Sequence, residues 1–208
     1  INADKVVGWV VGGENTAVND YLVGYIDGVN YVDPSIEVLY SYVGDWTNSA
    51  KATELANAQY DMGADVIFAV AGGAGFGACE SAAATGHYAF GVDTDYAGQL
   101  EQSGSATADY VVSSAIKQFG KVVYDAMVKF YNGELEFGKH TSCDVSSGYL
   151  EMLETKQFEK IVKEGMPDVY KRYTEICQDL KDGKIEVGTA VGATPEYVAQ
   201  KKAEAAAH

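Results

Sequence analysis

The sequence predicts an α/β fold in which a parallel sheet is flanked by helices. Two observations favour it. Short apolar, β-branched runs alternate with segments whose apolar residues recur at helical spacing, and glycine or polar loops separate them. Strands that alternate with helices pair in parallel through right-handed crossovers. Their loops therefore gather along one edge of the sheet, where open α/β folds bind ligands.

The first unit begins with a strand at residues 6–11, which is rich in valine and ends in two glycines. The side chain of Asn15 or Thr16 can cap the next helix by accepting a backbone N–H. From residue 17 to 29 apolar residues recur at helical spacing, so one face of this helix is expected to be buried.

The second unit begins with a strand at residues 36–43 and continues into a polar loop that carries Trp46. Ser49 is the expected N-cap of a helix that reaches about Met62, and Gly63 then stops the helix. A large aromatic ring is therefore expected at the end of a strand, in an otherwise polar loop.

The third unit contains the glycine-rich loop around which the predicted binding site is arranged. Residues 66–77 are a short apolar run that breaks into glycines and enters an alanine-rich helix at about residues 78–85. Glycines at such a junction let a ligand approach the backbone, and the free N–H groups of the helix start face it. A fourth strand follows at residues 88–92, with Asp93 and Asp95 just beyond its end.

The fifth unit follows a polar stretch. Residues 96–109 are rich in glycine and serine, which is typical of an exposed connection. A short strand at 110–113 and a long amphipathic helix at 115–131 come next, so Lys117 is expected in the first turn of that helix. The remaining predicted elements are a strand at 137–144, a turn at 146–148, helices at 156–163 and 167–180, a strand at 184–187 and a helix from Pro195.

The composition is that of a globular chain and excludes one class of partner. With 30 acidic and 15 basic residues the formal net charge is -15, which argues against a nucleic-acid surface, where Lys and Arg neutralise phosphates. No apolar stretch approaches the length of a membrane span. The three cysteines lie far apart, so we expect small buried residues rather than a metal site, and no cofactor.

The glycine cluster at residues 72–77 permits three interpretations. A dinucleotide fingerprint needs two residues between its last two glycines, but only Phe76 separates Gly75 from Gly77. A glycine turn with a purely structural role and a loop that contacts another small polar ligand both remain open. The ligand-contacting loop is the favoured interpretation.

Three side chains are candidates for ligand contact at the sheet edge. Asp93 could accept two hydrogen bonds from a vicinal diol, or it could cap the following turn. Lys117 is unfavourable in a first helical turn, which indicates a ligand or a nearby carboxylate unless it is an ordinary solvated lysine. Trp46 could stack on a planar or sugar ring, or it could cover the edge of the core.

The usual catalytic motifs are absent from the sequence. It contains no Gly-x-Ser-x-Gly elbow, no His-Glu-x-x-His helix and no phosphate loop that ends in Lys and Ser or Thr. Asp93 and Asp95 lack a flanking acid/base partner for glycoside chemistry. We therefore expect a protein that binds rather than an enzyme, with no catalytic residue.

Six segments between residues 6 and 131 form a pattern by their order and spacing. They are Val6-Val-Gly-Trp-Val-Val-Gly-Gly13, Tyr42-Val-Gly-Asp-Trp-Thr-Asn-Ser-Ala-Lys51, Ala58-Gln-Tyr-Asp-Met-Gly-Ala-Asp-Val-Ile67, Ala71-Gly-Gly-Ala-Gly-Phe-Gly77, Gly91-Val-Asp-Thr-Asp95 and Ser113-Ser-Ala-Ile-Lys117. Together they resemble the basic membrane protein family, the nucleoside-binding lipoproteins of ABC importers, which share the type I periplasmic-binding-protein fold.

The resemblance implies a protein whose two lobes close on a nucleoside, a purine nucleoside being expected. The family more often has Phe where this chain has Trp46, which keeps the stacking role but can alter the base preference. The implied ligand-binding residues are Trp46 for the base, Gly72 and Gly73 for backbone contact, Asp93 and Asp95 for the ribose hydroxyls and Lys117 for the sugar.

The resemblance also implies domains, partners and a location. Residues 1–144 would form an α/β ligand-binding lobe, and residues 145–208 a return segment that packs on a first lobe, with a disordered tail. Family members carry that upstream lobe and a lipidated N-terminal cysteine. We therefore expect the first lobe, on the same or a separate chain, and an ABC permease as partners. The expected location is extracytoplasmic: anchored to the outer face of the cell membrane by a lipid outside this chain, or periplasmic.

Other functions remain open from the sequence. Sugar or autoinducer binders, and sensor or regulatory domains, can share this fold. A nicotinamide-dependent α/β enzyme would need a catalytic base and a second glycine signature that the sequence does not contain.

Overall fold

The structure, a computed structural model, describes residues 4–141 and 143–205 and confirms the predicted α/β class. Its strands are β1 (Val6–Val11), β2 (Glu37–Tyr42), β3 (Ala64–Val70), β4 (Tyr88–Asp93), β5 (Val111–Lys117) and β6 (Leu150–Met152). They form one sheet in the order β2-β1-β3-β4-β5-β6. The first five strands are parallel and β6 is antiparallel to β5.

Helices connect the strands and continue to the end of the described chain. They are α1 (Thr16–Val32), α2 (Ser49–Asp61), α3 (Gly75–Thr85), α4 (Tyr96–Gln102), α5 (Phe119–Tyr131), α6 (Lys156–Phe158), α7 (Pro167–Lys181) and α8 (Pro195–Ala205). Short 3-10 turns occupy Gly72–Ala74 and Ala106–Tyr110, and a π-helical segment occupies Glu159–Glu164. Among residues 4–141 and 143–205, no helix is long and apolar enough to span a membrane.

The core lies around the central strands β1 and β3. Trp9 of β1 and Ile67 of β3 are fully buried, and Leu22 of α1 belongs to the same core. Burial of each such side chain contributes about 1.5–3 kcal/mol. Gln59 of α2 fixes that helix to the sheet, because its amide donates to the Trp9 carbonyl at 3.1 Å and to Ser41 Oγ at 3.0 Å.

The direction in which successive strands are added to the sheet reverses at β1. The connection from β1 leads outward to β2, whereas β3, β4 and β5 follow on the other side of β1. Such a switch point leaves a crevice at the carboxyl ends of the strands. The Gly12 N–H donates to the Val70 carbonyl at 3.0 Å, so the chain leaves β1 beside the end of β3.

Residues 96–109 connect β4 to β5 and half of them are exposed, as expected of a surface connection, but the segment is not an open loop. It contains α4 and a 3-10 turn, because Asp95 caps α4 by accepting from the Gly98 N–H at 2.9 Å and the Tyr96 ring is buried. Capping and burial together outweigh the glycine and serine content that favoured an open loop.

The predicted end of the fifth strand is also wrong. β5 does not end at residue 113 but runs to Lys117, since β6 pairs with its last residues and Lys117 lies opposite Leu150. Lys117 is therefore the last residue of a strand and not part of a first helical turn. The long helix begins at Phe119 instead of residue 115.

The C-terminal third combines confirmed helices with strands that do not form. The helices predicted at 156–163, at 167–180 and from Pro195 are present. Neither 184–187 nor the described part of 137–144, from which residue 142 is missing, is a strand. β6 occupies the free edge of β5, so these exposed stretches find no edge there to pair with.

The last described segment is tied to α1 by two carboxylates. Asp20 accepts from the Ala190 N–H at 2.7 Å, and Asp27 accepts from the Gly188 N–H at 2.8 Å and from Lys201 Nζ at 2.7 Å. Packing of residues 145–208 on another lobe stays a prediction. The end of the predicted disordered tail, residues 206–208, lies outside the described residues.

Candidate functional site

The candidate ligand-binding residues follow four of the parallel strands, at the carboxyl edge of the sheet. Trp46 lies after β2, the Gly72-Gly73 pair after β3, Asp93 at the end of β4 and Lys117 at the end of β5. These ends meet at one edge because the strands are parallel. The fold therefore places the residues along a single crevice.

The Trp46 ring lies on the glycines that follow β1. A Cβ at Gly12 would overlap the six-membered ring, and a Cβ at Gly13 would lie 3.8 Å from Nε1. Trp46 as a whole is 44% exposed, so part of the residue packs on the backbone and part faces solvent. An indole in this position can offer a surface to a planar ring.

The loop that carries Trp46 is held by a turn around Asp45. Asp45 Oδ1 accepts from the Thr47 N–H at 2.6 Å, from the Thr47 hydroxyl at 2.7 Å and from the Asn48 N–H at 3.1 Å. The Thr47 hydroxyl contributes most to holding the pKa of Asp45 below its usual value. The Trp46 carbonyl accepts from the Ala74 N–H at 2.9 Å, which joins this loop to the glycine loop.

The cap of α2 differs from the prediction. Asn48, not Ser49, is the N-cap, because its side chain accepts from the Lys51 N–H at 3.0 Å. The Asp45 turn delivers the chain to the helix one residue earlier than the sequence pattern indicated, so Ser49 becomes the first helical residue.

The glycine loop turns sharply into α3. Gly72 has φ +54°, a left-handed conformation that favours glycine. The 3-10 turn that it begins runs directly into α3 at Gly75, three residues before the predicted start at residue 78. Tyr96 holds the turn by donating its hydroxyl proton to the Gly72 carbonyl at 2.7 Å. Gly73, with no side chain, is exposed.

Asp93 and Lys117 form an ion pair. Lys117 Nζ lies 2.9 Å from Asp93 Oδ1, and the two side chains are 33% and 39% exposed. The contact is ionic, since Oδ1 makes no hydrogen bond of regular geometry with the described residues. Asp93 has φ +65°, and left-handed backbone at a non-glycine residue is a form of strain that gathers at functional sites.

Tyr21 of α1 completes the surroundings of the ion pair. Lys117 Nζ lies 4.8 Å from the centre of the Tyr21 ring. Burial opposes the charge of Lys117, but its contacts with Asp93 and Tyr21 outweigh burial and raise the pKa of the lysine. Burial raises the pKa of the Tyr21 hydroxyl. The site therefore contains an ammonium group beside a neutral phenol at physiological pH.

The residues predicted from the sequence differ in the contacts that they make in the structure. The structure brings Asp93 and Lys117 into contact and places Trp46 against the glycine loops. Asp95 lies in the exposed N-cap of α4, where Oδ1 is used in the cap, and its role in ligand binding stays a prediction. Sequence reasoning assigned no role to Tyr21, because its helical spacing indicated a core residue.

Two cavities flank this edge. One, of about 550 Å³, lies between β5, β6 and α7 and includes Tyr21 in its wall. The other, of about 320 Å³, lies between the start of α1 and α8. Neither is lined by Trp46 or Asp93. Trp46 and the Asp93 side chain are both partly exposed, so the candidate residues face a crevice that is open to solvent.

The arrangement is suited to holding a small neutral ligand that has a flat ring and adjacent hydroxyl groups. A carboxylate accepts hydrogen bonds from a diol, an ammonium group donates to oxygen, and an indole stacks on a ring. The exposed backbone of the glycine loop allows close approach between them.

A sequence comparison with known families matches most of the chain. The matching family, Bmp, is described as ABC transporter substrate-binding protein PnrA-like, and the match covers residues 2–185. More than four-fifths of the chain therefore carries the family pattern.

Curated relatives extend the comparison. The chain is 28% identical over 191 residues to the ABC transporter nucleoside-binding protein BmpA of Lactococcus lactis, covering 87% of this chain and 52% of that protein. It is 29% identical over 184 residues to basic membrane protein D of Borreliella burgdorferi, covering 87% and 51% respectively. The chain thus spans about half the length of these relatives.

Solved structures share the fold. An ABC transporter solute-binding protein from Aeropyrum pernix superposes with a TM-score of 0.74 at 20% identity, covering 96% of this chain and 62% of that one. A transcriptional activator of the comK gene from Bacillus halodurans superposes with a TM-score of 0.67 at 23% identity, covering 86% and 57%. At these identities the likeness concerns the fold alone.

Proposed function

The chain belongs to the Bmp family of PnrA-like ABC transporter substrate-binding proteins, and from that premise we propose that it binds a nucleoside, a purine nucleoside by preference, for an ABC importer. The observation that carries the proposal is the placement of Trp46 and the Asp93–Lys117 pair along one sheet edge. A nucleoside has a flat base and a ribose diol, the two features that such groups recognise.

In the proposed complex the base stacks on the exposed part of Trp46. The ribose hydroxyls donate to Asp93, and Lys117 donates to a sugar oxygen. Gly72 and Gly73 contact the ligand through their backbone, because neither carries a side chain that would keep it away. The name of the Lactococcus lactis relative, a nucleoside-binding protein, supports the choice of ligand class.

The proposed partners are the ligand, an ABC permease and a first lobe. The chain spans about half the length of its relatives, and the candidate residues Trp46 and Asp93 are partly exposed to solvent. Small-molecule sites usually enclose about 70–90% of the ligand surface, so a second surface is needed for tight binding. We place the protein outside the cytoplasm, either lipid-anchored to the outer face of the cell membrane or periplasmic, as a transporter's solute receptor requires.

Isothermal titration calorimetry tests the ligand class. The protein, expressed with all the sequence that its natural gene encodes, is titrated with inosine, guanosine and ribose. We expect heat with both nucleosides and little with ribose, because ribose lacks the ring that stacks on Trp46. Absence of heat with every nucleoside would contradict the proposal.

A sugar is the second candidate, because the Asp93–Lys117 pair alone would accept any vicinal diol. In that case ribose or another monosaccharide would bind as tightly as a nucleoside, and the same titration would show it. A sensor domain of this fold would differ from a transport receptor in its attached domains.

A further inference from the structure

Tyr96 lies between the two halves of the candidate site. One half holds Trp46 and the glycine loop, and the other holds the ion pair of Asp93 and Lys117. Tyr96 begins α4, just after Asp93 at the end of β4, and only 3% of the residue is exposed. Because a buried tyrosine usually finds a partner for its hydroxyl, that partner indicates what the residue holds in place.

The hydroxyl of Tyr96 is bonded to the glycine loop. It donates to the Gly72 carbonyl at 2.7 Å, which also accepts from the Gly75 N–H that closes the 3-10 turn. Burial raises the pKa of the hydroxyl, so it stays a protonated donor at physiological pH. The loop in turn is joined to the Trp46 carbonyl through the Ala74 N–H at 2.9 Å. A shift of the Gly72 peptide group would therefore reach the Trp46 loop.

The ring and the backbone of Tyr96 connect it to two further elements. The ring stacks on that of Phe76 in α3, with centroids 4.3 Å apart and planes 13° from parallel. The backbone N–H donates to Ser114 Oγ of β5 at 3.3 Å. Since β5 ends in Lys117 and β4 ends in Asp93, Tyr96 fixes the glycine loop relative to both strands that carry the ion pair.

Two glycines leave room for the Tyr96 ring. A Cβ at Gly75 would lie 2.9 Å from the Tyr96 hydroxyl, and a Cβ at Gly91 of β4 would lie 2.5 Å from Cγ of the ring. Packed atoms do not approach so closely without a shift. The ring can therefore occupy this position because neither glycine has a side chain.

We propose that Tyr96 is a positioning residue for the ligand: its hydroxyl holds the glycine loop at the distance that lets one nucleoside reach both Trp46 and Asp93. The inference rests on the proposed function, because it names the residue that sets the geometry of that site. Tyr96 acts through Gly72 and does not itself contact the ligand.

The variant Tyr96→Phe, in the protein expressed with all the sequence that its natural gene encodes, removes the hydroxyl and keeps the ring. We expect the affinity for inosine, measured by calorimetry, to fall by at least about fivefold, as the loss of one hydrogen bond predicts.

Tyr60→Phe is the matched control. Tyr60 is 5% exposed and its hydroxyl also donates to a backbone carbonyl, that of Tyr88 at 2.8 Å. That carbonyl lies at the first residue of β4, whereas Asp93 is the last. We expect Tyr60→Phe to lower the melting temperature about as much as Tyr96→Phe does and to leave the inosine affinity within about twofold of the parent's.

Hydrogen exchange without ligand shows whether Tyr96 acts through the loop. We expect the peptide that contains residues 71–76 to exchange at least about fivefold faster in Tyr96→Phe and at the parent's rate in Tyr60→Phe. Unchanged exchange of this peptide, or unchanged inosine affinity of Tyr96→Phe, would overturn the inference alone. Failure of the parent protein to bind any nucleoside would overturn the proposed function and this inference with it.

Gly75→Ala covers the case in which Tyr96→Phe does not fold. Alanine suits the helical backbone at Gly75, where φ is -59°, but its methyl group would lie 2.9 Å from the Tyr96 hydroxyl and push it away from Gly72. We expect the same fall in inosine affinity and the same faster exchange of the loop peptide. A parent-like value of either quantity would contradict the positioning role.

Discussion

Asp93 shows how one residue can link backbone strain to a binding site. Its φ of +65° is unfavourable for a side chain with a Cβ, although aspartate and asparagine tolerate this region better than other residues. The conformation places the carboxylate beside Lys117, with Oδ1 2.9 Å from Nζ. The backbone of Asp93 is therefore strained at the point where the proposed ligand binds.

Replacement of Asp93 tests this assignment. Asp93→Asn keeps the shape of the side chain and its tolerance for left-handed backbone but removes the charge. We expect nucleoside affinity to fall by at least about tenfold, since hydrogen bonds to charged groups are worth about 1.5–3 kcal/mol. Calorimetry measures the change.

Asp61→Asn, which makes the same charge change at the end of α2, is the control and should bind as the parent does. Asp95→Asn decides between Asp93 at the end of β4 and Asp95 at the start of α4, and asparagine can still cap α4. If Asp95→Asn loses binding and Asp93→Asn does not, the assignment of the ribose contact is wrong.

The raised pKa of one cysteine predicts which thiols react at pH 8. Burial raises the pKa of the Cys79 thiol to about 12. The thiolate is the reactive form, so Cys79 should stay unmodified by iodoacetamide at pH 8, while the half-buried Cys143 and Cys177 react. Mass spectrometry of the labelled peptides measures it. Reaction of Cys79 in urea is the control, and equally fast reaction in the native protein would contradict its burial.

Sequence reasoning identified most of the candidate residues but not their contacts. Trp46, the glycine loop and Asp93 could be named because each follows an apolar run that had to be a strand. Tyr21 could not be named, since a tyrosine at helical spacing is the same pattern whether it packs in the core or faces a lysine. Only the fold brings its ring within 4.8 Å of Lys117 Nζ.

At the scale of elements, the junction of β3, the glycine loop and α3 determines how closely two helices approach. A Cβ at Gly77 would overlap the backbone of Ser49 at the start of α2. Gly77 therefore allows α3 to pack directly on α2, and this packing brings the Trp46 loop to the glycine loop. Gly77, whose position does not fit the spacing of a dinucleotide fingerprint, therefore has a role in packing.

The N-cap of α2 can be tested by a pair of substitutions. Asn48→Ala removes the side chain that accepts from the Lys51 N–H, so we expect a loss of about 1 kcal/mol in the free energy of unfolding. Ser49→Ala should change it by less than about 0.5 kcal/mol, because Ser49 lies inside the helix. Urea unfolding measures both. A larger loss for Ser49→Ala would restore the original prediction of the cap.

Element boundaries were predicted well where local patterns fix them and poorly where distant residues do. β1 matches residues 6–11, since valines and glycines define its ends. The end of β5 depends on β6, about 35 residues further along the chain, and no local pattern of 110–117 contains that pairing. α4 was missed because the burial of Tyr96 is a tertiary effect.

At the scale of the whole molecule, the candidate residues at the carboxyl edge of the sheet are partly exposed to solvent. The chain spans about half the length of its relatives. In the proposed function, a second lobe would close over this edge and enclose the ligand. Substrate-binding proteins commonly work by such closure around a small molecule.

The central claim is that a nucleoside stacks on Trp46, and calorimetry with inosine on two variants of the natural-length protein tests it most directly. Trp46→Phe keeps an aromatic ring and should bind inosine with nearly unchanged affinity. Trp46→Ala should weaken binding by about 1–3 kcal/mol, the usual contribution of stacking on a base. Equal affinity of Trp46→Ala and the parent protein would contradict the account.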